Sequence, residues 1–195
     1  DMKKALTAVV VAVLLCCIPA AYAVSFQNDY EAIDRAAQSV FLLEVYDGQD
    51  RLLGTGSGFV ALNSGILITN HHVIEGAAYL VAYSDGYKDS FDIAYLLAAD
   101  SAKDIAILEF DVWAGVQPLA ANTRSRLLRG QPVTAIGSPK GIINTVTSGN
   151  ISNTVEGLFG AAEGIQFTAP ISPGSSGGAL FNENGEVIGL CAAAL

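Results

Sequence analysis

The stretch Pro173-Gly174-Ser175-Ser176-Gly177-Gly178-Ala179-Leu180 sets a serine among glycines near the end of this 195-residue chain. Acyl transfer needs such a hydroxyl on a tight turn. Glycines let the backbone approach a substrate closely and aim N–H groups at one point. A serine hydroxyl is a weak nucleophile unless a base takes its proton. The chain has only 2 histidines, and they are adjacent, in Thr69-Asn70-His71-His72-Val73-Ile74. An aspartate, which could orient such a base, opens the apolar run Asp104-Ile105-Ala106-Ile107-Leu108. The chain order is histidine, aspartate, serine. The same chemistry occurs in other orders on unrelated folds, so the order itself narrows the architecture.

Each of these residues has a plainer reading. A Gly/Ser cluster taken alone is a loop or linker, and a lone histidine is a satisfied core or surface residue. Two neighbouring histidines also suggest a metal. Side chains adjacent on a strand point to opposite faces, so His71 and His72 are not expected to share an ion. No cysteine or carboxylate cluster lies beside them, so neither a metal nor a cofactor is expected. Asp104 reads equally as a turn residue that starts a buried strand, which is compatible with catalysis. Cys191 reads as a small buried hydrophobe. Asp29, Glu31 and Asp34 read as the solvated face of a helix.

The elements that must position these groups are mostly strands. Residues 27–39 form a short amphipathic helix by spacing, with Tyr30, Ile33, Ala37 and Val40 on its apolar side. Strands are predicted over 40–46, 52–62, 66–69, 79–83, 90–97 and 104–110. Asp47-Gly48, Asn63-Ser64-Gly65 and Asp85-Gly86 supply turns between several of them. Residues 111–130 cross over, with Pro118 and the polar run Asn122-Thr123-Arg124-Ser125. A second set follows over 132–137, 144–152, 165–169, 179–182 and 186–191, and Asn184-Gly185 is a strong hairpin signal between the last two. Many short strands joined by Gly-rich turns indicate an all-β chain, built as paired antiparallel barrels or as a sandwich.

Composition bounds the partners. The chain is 51% hydrophobic and 15% charged, enough apolar content to build a core. Its formal net charge of -9, with no basic run, argues against nucleic acid. Lys3 and Lys4 precede an apolar stretch, and Ala21-Tyr22-Ala23 ends it. That pattern is a secretory signal peptide over residues 1–23, cut after Ala23. An uncleaved membrane anchor is the other reading of the stretch. After cleavage no stable membrane insertion is expected. Cys16 and Cys17 leave with the signal, so Cys191 stays alone and no intrachain disulfide forms. Export without disulfides points to a bacterial periplasm, cell envelope or extracellular setting.

Taken together, these stretches resemble the trypsin-like serine proteases of chymotrypsin fold, most closely the bacterial HtrA/Deg-like branch. The resemblance runs from Leu52 to Leu195. It rests on Gly54-Thr55-Gly56-Ser57-Gly58-Phe59, Leu67-Ile68-Thr69-Asn70-His71-His72-Val73, Ser84-Asp85-Gly86 and Asp104-Ile105-Ala106-Ile107-Leu108. It continues through Ala135-Ile136-Gly137-Ser138-Pro139, Thr145-Val146-Thr147-Ser148-Gly149, the serine stretch and Gly185-Glu186-Val187-Ile188-Gly189. The resemblance implies a double β-barrel, with a helical segment over 24–38, a first barrel over 39–115, a linker over 116–130 and a second barrel over 131–195. It implies His72 as base, Asp104 as its orienting carboxylate and Ser176 as nucleophile. It also implies an oxyanion turn of Gly174, Ser175 and Ser176. The second barrel reads as one strand short, and no PDZ domain is expected.

The chain departs from the family pattern at two places. Ser175 stands where Asn or Asp is common, and Thr168 stands where an Asp usually follows an Ile-Gln pair. For the substrate pocket, the resemblance implies a floor near Pro170 and Ile171 and one wall at Ala192, Ala193 and Ala194. No acid lies there, so cleavage is expected after small or medium aliphatic residues and not after Lys or Arg. The expected function is a secreted serine endopeptidase acting on unfolded or damaged envelope polypeptides. A catalytically weak homologue that binds peptides as a scaffold is the alternative. The oligomeric state stays open between monomer and trimer.

Overall fold

Asp29 starts the first helix. Its side chain accepts a hydrogen bond from Ala32 N (3.0 Å), satisfying one of the donors that a helix start leaves unpaired. The computed structural model describes residues 24–85, 91–110, 116–122, 126–159 and 162–192. The expected export segment 1–23, Gly86, residues 123–125 and the pocket residues Ala193 and Ala194 lie outside the described residues. Within them, a 3₁₀ turn (Phe26–Asn28) leads into α1 (Tyr30–Ala37). Ala37 and Val40 are buried as the spacing predicts, but Tyr30 is 79% exposed. Asp29, expected on a solvated face, serves instead as the helix cap.

β1 (Val40–Tyr46), β2 (Leu52–Val60), β3 (Ile66–Thr69), β4 (Tyr79–Tyr83), β5 (Phe91–Asp100) and β6 (Ile105–Phe110) close into an antiparallel barrel. Closure gives each of these strands two hydrogen-bonded neighbours. Its interior is filled by Phe41, Leu43, Val60, Leu67 and Leu108, all almost fully buried. One register matters most for function. β3 pairs with β6 so that Thr69 sits opposite Ala106. The residues just after β3 therefore lie beside the residues just before β6, which brings His72 and Asp104 together.

β7 (Pro132–Gly137), β8 (Thr145–Phe159), β9 (Ala162–Phe167), β10 (Ala179–Phe181) and β11 (Val187–Leu190) form a second antiparallel sheet in the order β11-β10-β7-β8-β9. With its 5 strands beside the closed barrel, it gives the two-barrel architecture of trypsin-like proteins. β8 runs well past the predicted end at 152, because β9 pairs with its far half from Ile151 to Phe159. The β10–β11 hairpin forms where Asn184-Gly185 predicts, with Gly185 at φ 76° and Asn182 Oδ1 accepting from Asn184 N and Glu186 N.

The described part of the expected linker is stitched to both halves. Leu119 bridges Ala61 of the barrel, and Ala121 bridges Val187 of the sheet. A shared core fixes the two halves against each other. Phe26, Ala36 and Ala37 of the N-terminal segment pack with Phe59 of the barrel and with Ile136 and Phe181 of the sheet. The Phe26 and Phe181 rings stand 5.1 Å apart, centroid to centroid. Each buried aromatic of this kind contributes roughly 1.5–3 kcal/mol. The two halves thus share one apolar core.

Candidate active site

The His72–Asp104 pair comes from the barrel. His72 lies on the 3₁₀ turn His71–Val73 that leaves β3. The two histidines are therefore on a turn, so strand alternation is not what separates them. Asp104 directly precedes β6 with φ 54°, a left-handed conformation that aspartate tolerates better than most residues. Its carboxylate grips His72 twice: Oδ1 accepts from the backbone N (2.9 Å), and Oδ2 lies 2.7 Å from ring Nδ1. With Nδ1–H donating to the carboxylate, the lone pair of the ring resides on Nε2. Asn70 Nδ2 donates to the Asp104 carbonyl (2.8 Å), fixing the strained turn from the other side. Asn70 stands in the Thr69–Ile74 stretch, where its residue type alone assigns it no such role. The His72 side chain is 47% exposed and that of Asp104 23%, so the pair opens toward solvent.

The serine turn comes from the sheet and is held mainly by backbone. Ser175 N donates to Ser172 O (2.8 Å), Gly178 N to Ser175 O (3.0 Å) and Gly177 N to Cys191 O (2.8 Å). Ser175 Oγ accepts from Ser172 N (3.3 Å), so the short side chain still reaches back into the turn where a longer amide or acid is common. The N–H of Ser175 is therefore engaged within the turn. Gly174 and Gly177 adopt φ 97° and 86°, which a side chain rarely permits. A Cβ at Gly177 would also collide with Ser57 O and Thr69 Oγ1. Ser176 and Ser175 are 7% and 5% exposed.

One residue of the barrel ties the two parts together. Ser57 N donates to Ser176 O (2.7 Å), while Thr69 Oγ1 donates to Ser57 O (2.7 Å). Thr69 ends β3, just before His72, so the serine turn and the histidine turn hang from the same point.

Pro170 and Ile171 line a cavity of about 210 Å³ with Ser172, Ser175 and Cys191, and no charged side chain lines it. The cavity meets the turn at Ser175, and Ala192 is not among its lining residues. Cys191 is buried, and burial pushes its thiol up to about 12. Thr168, the second departure, pairs with β8 through Asn150: its N donates to Asn150 O (3.0 Å) and its Oγ1 accepts from Asn150 N (2.9 Å). Among the described residues, no group of three potential metal ligands comes together.

A profile of the trypsin-like peptidase domain matches residues 56–190. The anti-sigma-I factor RsgI9 of Acetivibrio thermocellus is 36% identical over 162 residues, which make up 82% of this chain and 22% of that protein. The probable periplasmic serine endoprotease DegP-like of Halomonas elongata is 42% identical over 138 residues, 69% of this chain and 28% of that protein. A crystal structure of the serine endoprotease from Yersinia pestis superposes with a TM-score of 0.70 at 30% identity, covering 82% of this chain and 55% of that one. The chain thus spans well under two thirds of the length of each of these proteins.

Proposed function

The chain belongs to the trypsin-like serine peptidases of the HtrA/Deg-like kind, and from that premise we propose that it cleaves polypeptides by acyl transfer through His72, Asp104 and Ser176. Ser176 Oγ attacks the scissile carbonyl carbon while its proton passes to His72 Nε2. The carbonyl π electrons move onto oxygen, and the backbone N–H groups of Gly174 and Ser176 stabilise that oxyanion. Collapse breaks the C–N bond, and the imidazolium returns its proton to the leaving amine. Water then attacks the acyl-enzyme through the same base. Asp104 stays ionised, keeps the ring in the productive tautomer and stabilises the imidazolium.

The observation that carries this reading is the double grip of Asp104 on His72, through backbone N and ring Nδ1. A turn-forming aspartate needs only the first of these contacts. The test is hydrolysis of an unfolded protein by the chain and by Ser176→Ala. Loss of hydrolysis with an unchanged circular dichroism spectrum supports the proposal. Undiminished hydrolysis by the variant overturns it.

The substrates proposed are unfolded or damaged polypeptides of the cell envelope, reached by export behind the signal segment. The H. elongata relative is named as a periplasmic enzyme. The uncharged lining around Pro170 and Ile171 supports cleavage after small or medium aliphatic residues. A peptide-library profile dominated by Lys or Arg would contradict that preference.

A further inference from the structure

We propose that Ser57 is a positioning residue for the reaction: its hydroxyl, bridging Gly174 O and Ser138 N, sets the orientation of the peptide units that form the oxyanion turn. The proposal rests on Ser176 being the nucleophile, and it adds a residue from the opposite half of the molecule.

Ser57 lies on β2, between Gly56 and Gly58, and is 0% exposed. Its Oγ donates to Gly174 O (2.7 Å) and accepts from Ser138 N (2.8 Å). Its backbone N donates to Ser176 O (2.7 Å), and its carbonyl accepts from Thr69 Oγ1 (2.7 Å). One buried residue thus touches both sides of the nucleophile and the strand end that leads to His72.

The direction of an N–H is set by the carbonyl across the same planar trans peptide, because the two point opposite ways. In this turn each carbonyl has a keeper. Pro173 O accepts from Lys140 N (2.9 Å), which turns the Gly174 N–H the other way. Gly174 O is kept by Ser57 Oγ, which turns the Ser175 N–H toward Ser172 O (2.8 Å). Gly174 has no side chain to restrict it and sits at φ 97°, so without the hydroxyl the Gly174–Ser175 peptide plane keeps only the bond from Ser175 N to Ser172 O. Ser138 N is held by the same hydroxyl and stands two residues before Lys140. The hydroxyl therefore supports the keeper of Pro173 O as well. A serine hydroxyl offers one donor and two acceptor sites, enough to serve both partners, whereas a methyl group serves neither.

The test compares Ser57→Ala with Thr134→Val, which removes another buried hydroxyl on β7, away from the turn. For Ser57→Ala the expected result is a kcat lower by roughly 10- to 100-fold. That lies at or below the 10²–10³ cost of deleting an oxyanion donor outright. KM and the apparent pKa of the base in the pH–rate profile should stay at wild-type values. Affinity for a peptidyl trifluoromethyl ketone, whose adduct carries an oxyanion, should fall by the same factor as kcat. Thr134→Val should lose thermal stability without this split. Should Ser57→Ala fail to fold, Ser57→Cys keeps a weaker donor and acceptor at the same place and should show a smaller kcat loss with the same pattern. Wild-type kcat in a folded Ser57 variant, or a loss seen only in KM or stability, overturns the inference alone. An unaltered chain that forms no adduct at Ser176 removes both the inference and the proposed function.

Discussion

The barrel and the sheet hold their parts of the site by opposite means. In the barrel, His72 is fixed largely by a side chain, the Asp104 carboxylate, and remains 47% exposed. In the sheet, Ser176 is fixed by a lattice of backbone bonds and is only 7% exposed. The proposed chemistry accounts for the contrast. A base must pass a proton between a nucleophile, a leaving amine and water, so its ring needs an open side. An oxyanion turn built of backbone must present its N–H groups at fixed positions, which needs the chain held rigidly from behind. The first half is therefore vulnerable to changes of functional group, and the second to changes of shape.

That contrast can be broken at graded cost. Ser176→Ala should remove turnover almost completely, on the order of 10⁶-fold in kcat, without unfolding the chain. Asp104→Asn should preserve the fold and lower kcat about 10⁴-fold, because an amide on Nδ1 favours the wrong tautomer. Burst kinetics on an activated ester would read both losses. Gly177→Ala should act through shape. The new Cβ meets Ser57 O and Thr69 Oγ1, and displacing the turn should cost about 10²-fold in kcat/KM together with a lower thermal midpoint. If Asp104→Asn unfolds the chain while Gly177→Ala is silent, the division between the halves is wrong.

Smaller effects sharpen the picture on the sheet side. The buried thiol of Cys191 keeps its proton up to about 12, while an unfolded cysteine loses it near 8.5. The folded state then binds the proton more tightly. Its advantage is full below pH 8.5 and is lost as the pH rises toward 12, amounting to about 2 kcal/mol by pH 10. Urea midpoints at pH 8 and pH 10 should diverge more for the unaltered chain than for Cys191→Ala. At the other end of the scale, hydrogen bonds from Asn182 and Asn122 hold Glu186 below the usual carboxylate range. Its contribution is present at neutral pH and is lost on acidification below that range. Glu186→Gln should therefore flatten the acid limb of stability slightly, with no change in turnover.

Much of this was legible in the chain itself. Strands 40–46, 66–69, 79–83 and 132–137 stand where alternation and turn residues place them. The Asn184-Gly185 hairpin was equally plain. The length of β8 was not, because its far half is defined by pairing with β9 and not by its own pattern. For the site, residue types and order single out the side chains for which chemistry is proposed. They could not show what holds those side chains. Ser57, Asn70 and Thr69 act through hydrogen bonds to backbone atoms far along the chain, and such contacts leave no periodic trace. Gly56 and Gly58 around Ser57 were the only hint that the backbone there packs closely against something.

The most direct test of the central claim is reaction of the chain with a fluorophosphonate, followed by peptide mapping of the adduct. One adduct is expected, on Ser176, absent in Ser176→Ala and formed much more slowly in Asp104→Asn. An unlabelled chain, or an adduct on Ser175 or another serine that persists in Ser176→Ala, would contradict it.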